Sequence, residues 1–178
     1  MKKMVTGITQ IALWLLFFST ASSQVISESF QQESPTVVER AYADAGGNVH
    51  VVLRDGRDDK ISKEKDQVGG RSIRIAVDKK TVGWTVLYEN CCTSYPIPLL
   101  LVIYRDGKVQ QRLDTGGLMI YDWRFWSGEK QVAFCTGTVH GDSGGHCELH
   151  DVKSGRALAV IDGHLGEESP LWARGLQN

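Results

Sequence analysis

Short apolar runs and tight turns alternate along most of this chain, and similar stretches return after roughly fifty residues. Asn48–Gly56 passes from an apolar run into an Arg-Asp-Gly triplet, and Leu99–Gly107 does the same. Glu148–Gly155 is a third version, with Lys-Ser-Gly at its turn. A turn of this kind between β-rich runs is a strong signal for a β-hairpin. The pattern therefore predicts three equivalent hairpins.

A second element recurs between these hairpins. Ile73–Trp84 and Tyr121–Phe134 each contain a strand pattern, a polar turn and an apolar strand pattern. Val37–Asp44 predicts one more strand before the first hairpin, and Ser34 with Pro35 leaves a short capped helix as the second interpretation. The predicted units are a half unit followed by two full four-stranded units: 48–61, 73–113 and 119–161.

Both elements resemble the blade repeats of TolB-type and WD-repeat β-propellers, in the strings IRIAVDKKTVGW and DWRFWSGEKQVAF…CELHDVKSGRALAVIDG. The resemblance covers roughly residues 48–163 and implies an all-β fold. The chain departs from the blade pattern at Asp78, which is followed by Lys79 where that turn usually has glycine. Propellers close with four or more blades, and this chain has about two and a half. We therefore expect either a partial propeller that associates further or a small β-sandwich built from the same hairpins.

In a stack of blade-like units, the outer faces of the first and last units must be covered. Leu99–Ile103 is apolar at consecutive positions, so both faces of that strand are expected to be buried. Terminal units of a repeat leave one face uncovered. The available caps are the stretch 24–47 and the tail Ser169–Gly175, with Leu171 and Trp172 as anchors. Where these caps are insufficient, a second copy or another protein is expected to cover the rest.

The N-terminal segment has the pattern of a secretory signal peptide. Lys2 and Lys3 precede the apolar run Ile11–Phe18, and Ala21–Ser23 supplies small residues for cleavage. The run is too short for a permanent membrane anchor, which takes about 20 residues. We expect 1–23 to be removed, leaving one all-β domain at 24–178. The protein is then exported, to a periplasm or the extracellular space, with no membrane anchor.

Export changes the interpretation of the four cysteines, because an oxidising compartment permits disulfides. Cys135 and Cys147 have the same strand parity across one predicted turn, so a cross-strand disulfide is expected, with two buried free thiols as the alternative. Cys91 and Cys92 are adjacent, which fits neither a CxxC redox centre nor a zinc knuckle. They lie in a proline-containing loop, where a vicinal disulfide and two buried thiols both remain open.

The string Gly-Asp-Ser-Gly-Gly at 141–145 resembles the nucleophile loop of trypsin-like serine proteases. That chemistry requires a histidine base, an orienting aspartate and an oxyanion hole. His50 is the only histidine before His140 in the mature chain, and it lacks the Ala-Ala-His-Cys setting of the family's base. Glycine, aspartate and serine are also the residues that turns prefer. We therefore expect no protease activity from Ser143, and we expect that the protein is not an enzyme.

The same predicted hairpin concentrates imidazole and carboxylate groups. Residues two apart on a strand share a face, so His146, Glu148 and His150 are expected to point the same way. A hairpin centred near Ser143 sets Thr136, Thr138 and His140 opposite them on that face. Such a set can bind zinc or a similar divalent cation, and the alternative is a solvated polar face with no cofactor. The candidate ligands are His140, His146, Glu148 and His150.

Aromatic residues are the remaining candidates. Tyr95, Trp123 and Trp126 can stack on sugar rings, or they can fill the space between sheets, which we favour. Three function classes follow. A non-catalytic binding or assembly module of the cell envelope, acting on a protein partner or on itself, is the first. A glycan-binding domain and a metal-dependent enzyme are the alternatives. The charge balance of 20 basic and 21 acidic residues excludes a nucleic-acid binder that relies on a basic surface.

Overall fold

The computed structural model describes residues 37–140 and 145–176. Strands and turns make up this part of the chain, and within each sheet every strand pairs antiparallel with the strand next to it in sequence. The predicted all-β class is confirmed. The strands are β1 (Val38–Ala43), β2 (Val49–Leu53), β3 (Asp58–Ile61), β4 (Gln67–Ile75), β5 (Thr81–Tyr88), β6 (Ile97–Arg105), β7 (Lys108–Asp114), β8 (Met119–Trp126), β9 (Gln131–Gly137), β10 (Gly145–Asp151) and β11 (Ala157–Gly163).

These strands form three open meander sheets. We name them the N-terminal sheet (β1–β3), the central sheet (β4–β7) and the C-terminal sheet (β8–β11). The three predicted hairpins are β2–β3, β6–β7 and β10–β11, and the second repeated element gives β4–β5 and β8–β9. The helical alternative before the first hairpin is wrong where it can be compared, because Val38–Ala43 is a strand. Ser34 and Pro35 lie outside the described residues.

The central sheet is buried on both faces, as the apolar run in β6 predicts. Leu100, Val102 and Tyr104 pack with β1 and β2 of the N-terminal sheet in one core. Leu101 and Ile103, which alternate with them, pack with β8 and β9 of the C-terminal sheet in a second core. Successive strand residues point to opposite faces, so one uninterrupted apolar strand supplies two cores.

The turn between β4 and β5 explains how the chain tolerates its departure from the blade pattern. Lys79 has φ 54°, the left-handed conformation that glycine adopts most easily. The Asp78 carboxylate accepts hydrogen bonds from the backbone amides of Lys80 and Thr81, at 2.8 and 3.0 Å. This side-chain turn bonding stabilises the required conformation without glycine.

The C-terminal tail covers the outer face of the C-terminal sheet. Trp172 and Leu176 are buried in a third core that contains Leu149 and the Cys135–Cys147 pair. The Arg124 guanidinium of β8 donates hydrogen bonds to the carbonyl oxygens of Leu171 and Trp172, at 2.7 and 2.8 Å. The predicted cap is therefore present with Trp172 as its anchor. Leu171 is 63% exposed, so its predicted anchoring role is wrong.

At the opposite end of the three sheets, the N-terminal sheet has a polar outer face and no segment covering it among the described residues. The outer face of the N-terminal sheet carries Arg40, Tyr42, His50, Asp58 and Lys60, which share a face in the strand register. A polar outer face is what keeps a terminal repeat in solution without a neighbour. The predicted N-terminal cap contributes β1 to this sheet, and its residues 24–36 lie outside the described residues.

The part of the chain that the structure describes contains no helix with the length and apolar character that a bilayer crossing requires.

Candidate functional site

The histidine row of β10 lies on the face of the C-terminal sheet that packs against the central sheet. His146, Glu148 and His150 alternate along the strand and share one face, as predicted. Their cross-strand partners are Thr136, Phe134 and Val132 respectively, and the last two belong to the core between the sheets. Only the outer part of this face is open to solvent, so the row lies half-buried at the border of a core.

The register of the hairpin differs from the predicted one. His146 pairs with Thr136, whereas a hairpin centred near Ser143 would set it opposite His140. Thr138 and His140 consequently follow the end of β9 and face no member of the histidine row. His140 is exposed in the turn. Asp142 and Ser143 lie outside the described residues, so the Gly-Asp-Ser-Gly-Gly prediction stays a prediction.

Glu148 bridges the two histidines. Its Oε1 lies 2.9 Å from His146 Nε2, and its Oε2 accepts a hydrogen bond from His150 Nε2. The remaining ring nitrogens also face oxygen atoms: His146 Nδ1 lies 2.6 Å from an Asp162 carboxylate oxygen, and His150 Nδ1 lies 2.8 Å from the Gly155 carbonyl oxygen. All four imidazole nitrogens therefore have oxygen partners within the protein.

The charges in this row stabilise one another. The hydrogen bond to Asp162 raises the pKa of His146 above its usual value, against the opposing effect of burial. Burial alone raises the pKa of Glu148, but hydrogen bonds from His150 and His146 outweigh it, and the net pKa is lowered. The arrangement favours a carboxylate between cationic or hydrogen-bonding imidazoles, which is a structural ion network.

The predicted metal set is not assembled. Among the residues that the structure describes, no group of three or more His, Cys, Asp or Glu side chains is arranged to hold a metal ion. His140 is separated from the other three candidates by the register, and the ring nitrogens of His146 and His150 are already bonded. A nitrogen that donates a hydrogen bond offers no lone pair to a cation. The row stabilises the hairpin in this geometry.

The cysteines form two pairs. Cys135 and Cys147 are directly opposite each other in the β9–β10 ladder, with Cα atoms 4.0 Å apart, and the structure joins them in a disulfide. Cys91 and Cys92 are joined as a vicinal disulfide in the loop before β6. Both residues of this second pair are exposed, so the alternative of two buried thiols is wrong there.

The aromatic residues are mostly used for packing. Trp123 is 1% exposed, and its Nε1 donates a hydrogen bond to the Ser72 carbonyl oxygen across the sheet interface at 3.2 Å. Trp126 is half-buried against the third core, with the Arg124 guanidinium 5.1 Å from its ring centre. Tyr95 alone of the three is largely exposed. Stacking of Trp123 on a ligand is therefore excluded, and the packing interpretation is confirmed for it.

Sequence reasoning missed a second polar cluster, centred on His50 of the N-terminal sheet. His50 lies 2.9 Å from the Asp58 carboxylate and 3.4 Å from that of Asp44, and its ring stacks on Tyr42 with centroids 5.0 Å apart. Hydrogen bonds from the Asn48 side chain and backbone lower the pKa of Asp44 to about 2. The signal was the register of β1, β2 and β3, which pattern alone does not supply.

Sequence reasoning also missed the exposed apolar edge at β11. This strand has β10 on one side and no other strand of the described chain on its second side. Leu158 and Val160 share one face of β11 and are 39% and 50% exposed. Other exposed large apolar side chains in the described residues are isolated in loops or on different strands. The alternation of Ala157–Gly163 was the available signal, and it was interpreted only as a hairpin strand.

No protein-family model matches the sequence, and a comparison with curated proteins finds no significant match.

Proposed function

We propose that this protein is an exported, non-catalytic assembly module whose copies associate through β11. The observation that carries the proposal is the exposed pair Leu158 and Val160 on an open edge strand. An unpaired strand edge presents a row of amide and carbonyl groups to another strand. The export pattern of the N-terminal segment and the two disulfides support an oxidising compartment as the place where this occurs.

Charge protects other outer edges from such pairing. The edge strand β3 has the sequence Asp-Asp-Lys-Ile, and β7 exposes Lys108, Arg112 and Asp114. Charged side chains, especially lysine, discourage edge-to-edge association. β11 carries one charged residue, Asp162, at its far end. The contrast supports β11, over β3 and β7, as the edge that pairs with a partner strand.

A second copy of this chain is the occupant that β11 fits. An antiparallel pair centred on Ala159 sets Leu158 of each copy opposite Val160 of the other. Leu158 and Val160 are then cross-strand neighbours, and each such apolar pair contributes about 0.2–1 kcal/mol. The resulting interface is isologous, as in most homodimers.

The other end of the stack and the site residues support a binding role over the alternatives. The outer face of the N-terminal sheet is polar, and the tail covers that of the C-terminal sheet, so neither face of the stack needs a partner. Trp123 is buried, so one of the three aromatic residues of the glycan-binding alternative is not accessible to a sugar ring. The internal bonding of His146 and His150 supports a structural role over a metal-dependent enzyme.

Sedimentation velocity of the mature protein across a concentration series tests the proposal. We expect a reversible dimer. Val160→Asp places a carboxylate opposite Leu158 of the second copy, twice by symmetry. This variant is expected to weaken the dimer by about tenfold or more, because a charged group is then buried against an apolar side chain.

Val77→Asp is the matched control, because Val77 is 86% exposed in the turn between β4 and β5 and the substitution is identical. It is expected to leave the dimer unchanged. A wild-type protein that stays monomeric throughout the series contradicts the proposal. So does a dimer that Val160→Asp and Val77→Asp weaken equally.

A further inference from the structure

A cleft of about 550 Å³ opens where hairpin turns of the central and C-terminal sheets meet. The β6–β7, β8–β9 and β10–β11 hairpins all contribute to its walls. The charged residues that line it are four cations and two carboxylates: Arg105, Lys108, Lys130, Lys153, Asp106 and Asp151. The cleft therefore carries net positive charge, whereas the whole chain has a net charge of −1.

The two carboxylates are held by local contacts. Asp151 Oδ1 accepts hydrogen bonds from the backbone amide and the hydroxyl of Ser154, each at 2.7 Å, and these bonds lower the pKa of Asp151. Asp106 lies 3.5 Å from Arg105 Nε, and Arg105 also lies 3.5 Å from Asp78. The acids at this end of the stack thus stabilise turns and one arginine.

The three lysines have no such partners. Among the described residues, no carboxylate lies within 4.0 Å of the ammonium groups of Lys108, Lys130 or Lys153. All three side chains are exposed. A mixed surface normally intersperses both signs of charge, so three unpaired ammonium groups around one concave site attract anions.

Hydrogen bonds fix the backbone at Lys153 and Lys130. The Lys153 carbonyl oxygen accepts hydrogen bonds from the side-chain amides of Gln110 and Gln111, at 3.1 and 2.8 Å. The Lys130 carbonyl oxygen accepts one from the Val152 amide at 2.9 Å. Main-chain anchoring of this kind reduces the ordering that a ligand would otherwise impose.

We infer that this cleft binds an anionic polysaccharide, a polar chain that carries repeated sulfate, carboxylate or phosphate groups. The inference is independent of the pairing proposed for β11. An acidic peptide fits less well, because protein interfaces rely on buried aromatic and apolar anchors, and the one apolar lining residue, Val152, is itself buried. The concave shape also suits a chain that enters the cleft better than a flat membrane surface.

Heparin, a sulfated polysaccharide, is the probe. Binding of fluorescently labelled heparin to the mature protein is measured at low ionic strength and again at about 1 M salt, where the screening length falls to about 3 Å. We expect saturable binding that salt abolishes. The triple variant Lys108→Gln, Lys130→Gln, Lys153→Gln is expected to raise the dissociation constant by about tenfold or more, since each exposed charge contributes a modest amount.

The matched control replaces Lys60, Lys63 and Lys65 by glutamine, an identical change in net charge at the N-terminal sheet and its following loop. It is expected to bind heparin like the wild type, and circular dichroism verifies that both triple variants fold. Absence of binding by the wild type at low salt overturns the inference. Equal losses in the two triple variants, or tighter binding of poly-glutamate than of heparin, overturn it as well.

Discussion

The indole of Trp123 packs directly over Gly83, so that a β-carbon at position 83 would lie 2.5 Å from Trp123 Cη2. Trp123 belongs to β8 of the C-terminal sheet, and Gly83 to β5 of the central sheet. The missing side chain of one sheet thus makes room for the largest side chain of the other. This contact, with the Arg74–Asp122 ion pair at 2.7 Å, holds the two sheets in their relative position.

Gly83→Ala is therefore expected to destabilise the protein by about 1–3 kcal/mol, because the added methyl group overpacks the interface. Urea unfolding measures the free energy. Gly69→Ala is the control: its added β-carbon would meet Leu87 Cδ1 at 3.4 Å, an ordinary contact, and Gly69 has no left-handed φ. Alanine normally suits a strand better than glycine, so equal effects of the two substitutions would contradict this account of the interface.

Trp172→Ala is expected to lower the free energy of unfolding by about 3 kcal/mol, because it empties the anchor position of the tail. The neighbouring Leu171→Ala is expected to change it by less than about 0.5 kcal/mol, because that side chain is exposed. Thermal or urea unfolding of the two variants in parallel measures the difference. Similar losses for both would mean that the tail does not cover the third core as described.

The Cys135–Cys147 disulfide closes a loop with a sequence separation of 12. In the chain-entropy model, such a bridge stabilises the protein by about 3 kcal/mol. The measurement uses the variant Cys91→Ser, Cys92→Ser, so that reductant acts on one bridge only. Unfolding midpoints with and without reductant are expected to differ accordingly, and peptide mapping without reduction is expected to recover Cys135 linked to Cys147. An unlinked pair in oxidised protein would contradict the prediction.

The Asp162–His146 contact predicts a pH dependence of stability. Because the folded pKa of His146 is raised above 6.5, its contribution is fully present below pH 6.5 and is lost as the pH rises through the folded pKa. Asp162→Asn is expected to flatten the decline of stability above pH 6.5, measured by urea unfolding of dilute protein. Asp66→Asn is the control and leaves the decline unchanged.

Glu148 acts in the opposite direction. Its folded pKa is lowered below 4.5, so its contribution is present above pH 4.5 and is lost as the pH falls through the folded value. The ion network of β10 therefore contributes most between pH 4.5 and pH 6.5, the ordinary pKa values of the two groups.

For the Asp162–His146 contact, the contradicting result is an Asp162→Asn variant whose stability falls as steeply as that of the wild type above pH 6.5. That result would show that Asp162 does not stabilise the charged imidazole of His146.

The sequence predicts the hairpins and their order because both depend on local chemistry. Turn triplets such as Arg105-Asp106-Gly107 specify where the chain reverses, and the apolar run of β6 specifies burial on two faces. The predicted sharing of a face by His146, Glu148 and His150 follows from the same two-residue period. The β-propeller resemblance itself remains a proposal, supported by three stacked meanders that repeat along the chain.

Features that depend on distant contacts were not predictable. The centre of the β9–β10 hairpin determines which residues face the histidine row, and a shift of two positions removed Thr138 and His140 from it. Whether Trp123 is buried depends on Gly83 in another sheet. Leu171 and Trp172 are adjacent apolar residues, and the path of the tail determines which one points inward. In each case the deciding partner lies far away in sequence.

Amide hydrogen exchange across β11 tests the central proposal most directly. Exchange of the peptide 157–163 is followed by mass spectrometry at a protein concentration that keeps the chain monomeric and at one that favours association. The account predicts slower exchange of this peptide in the associated form, because its outward amides donate to the second copy, with β3 and β7 unchanged. Association that leaves 157–163 unchanged, or that protects another strand edge instead, would contradict it.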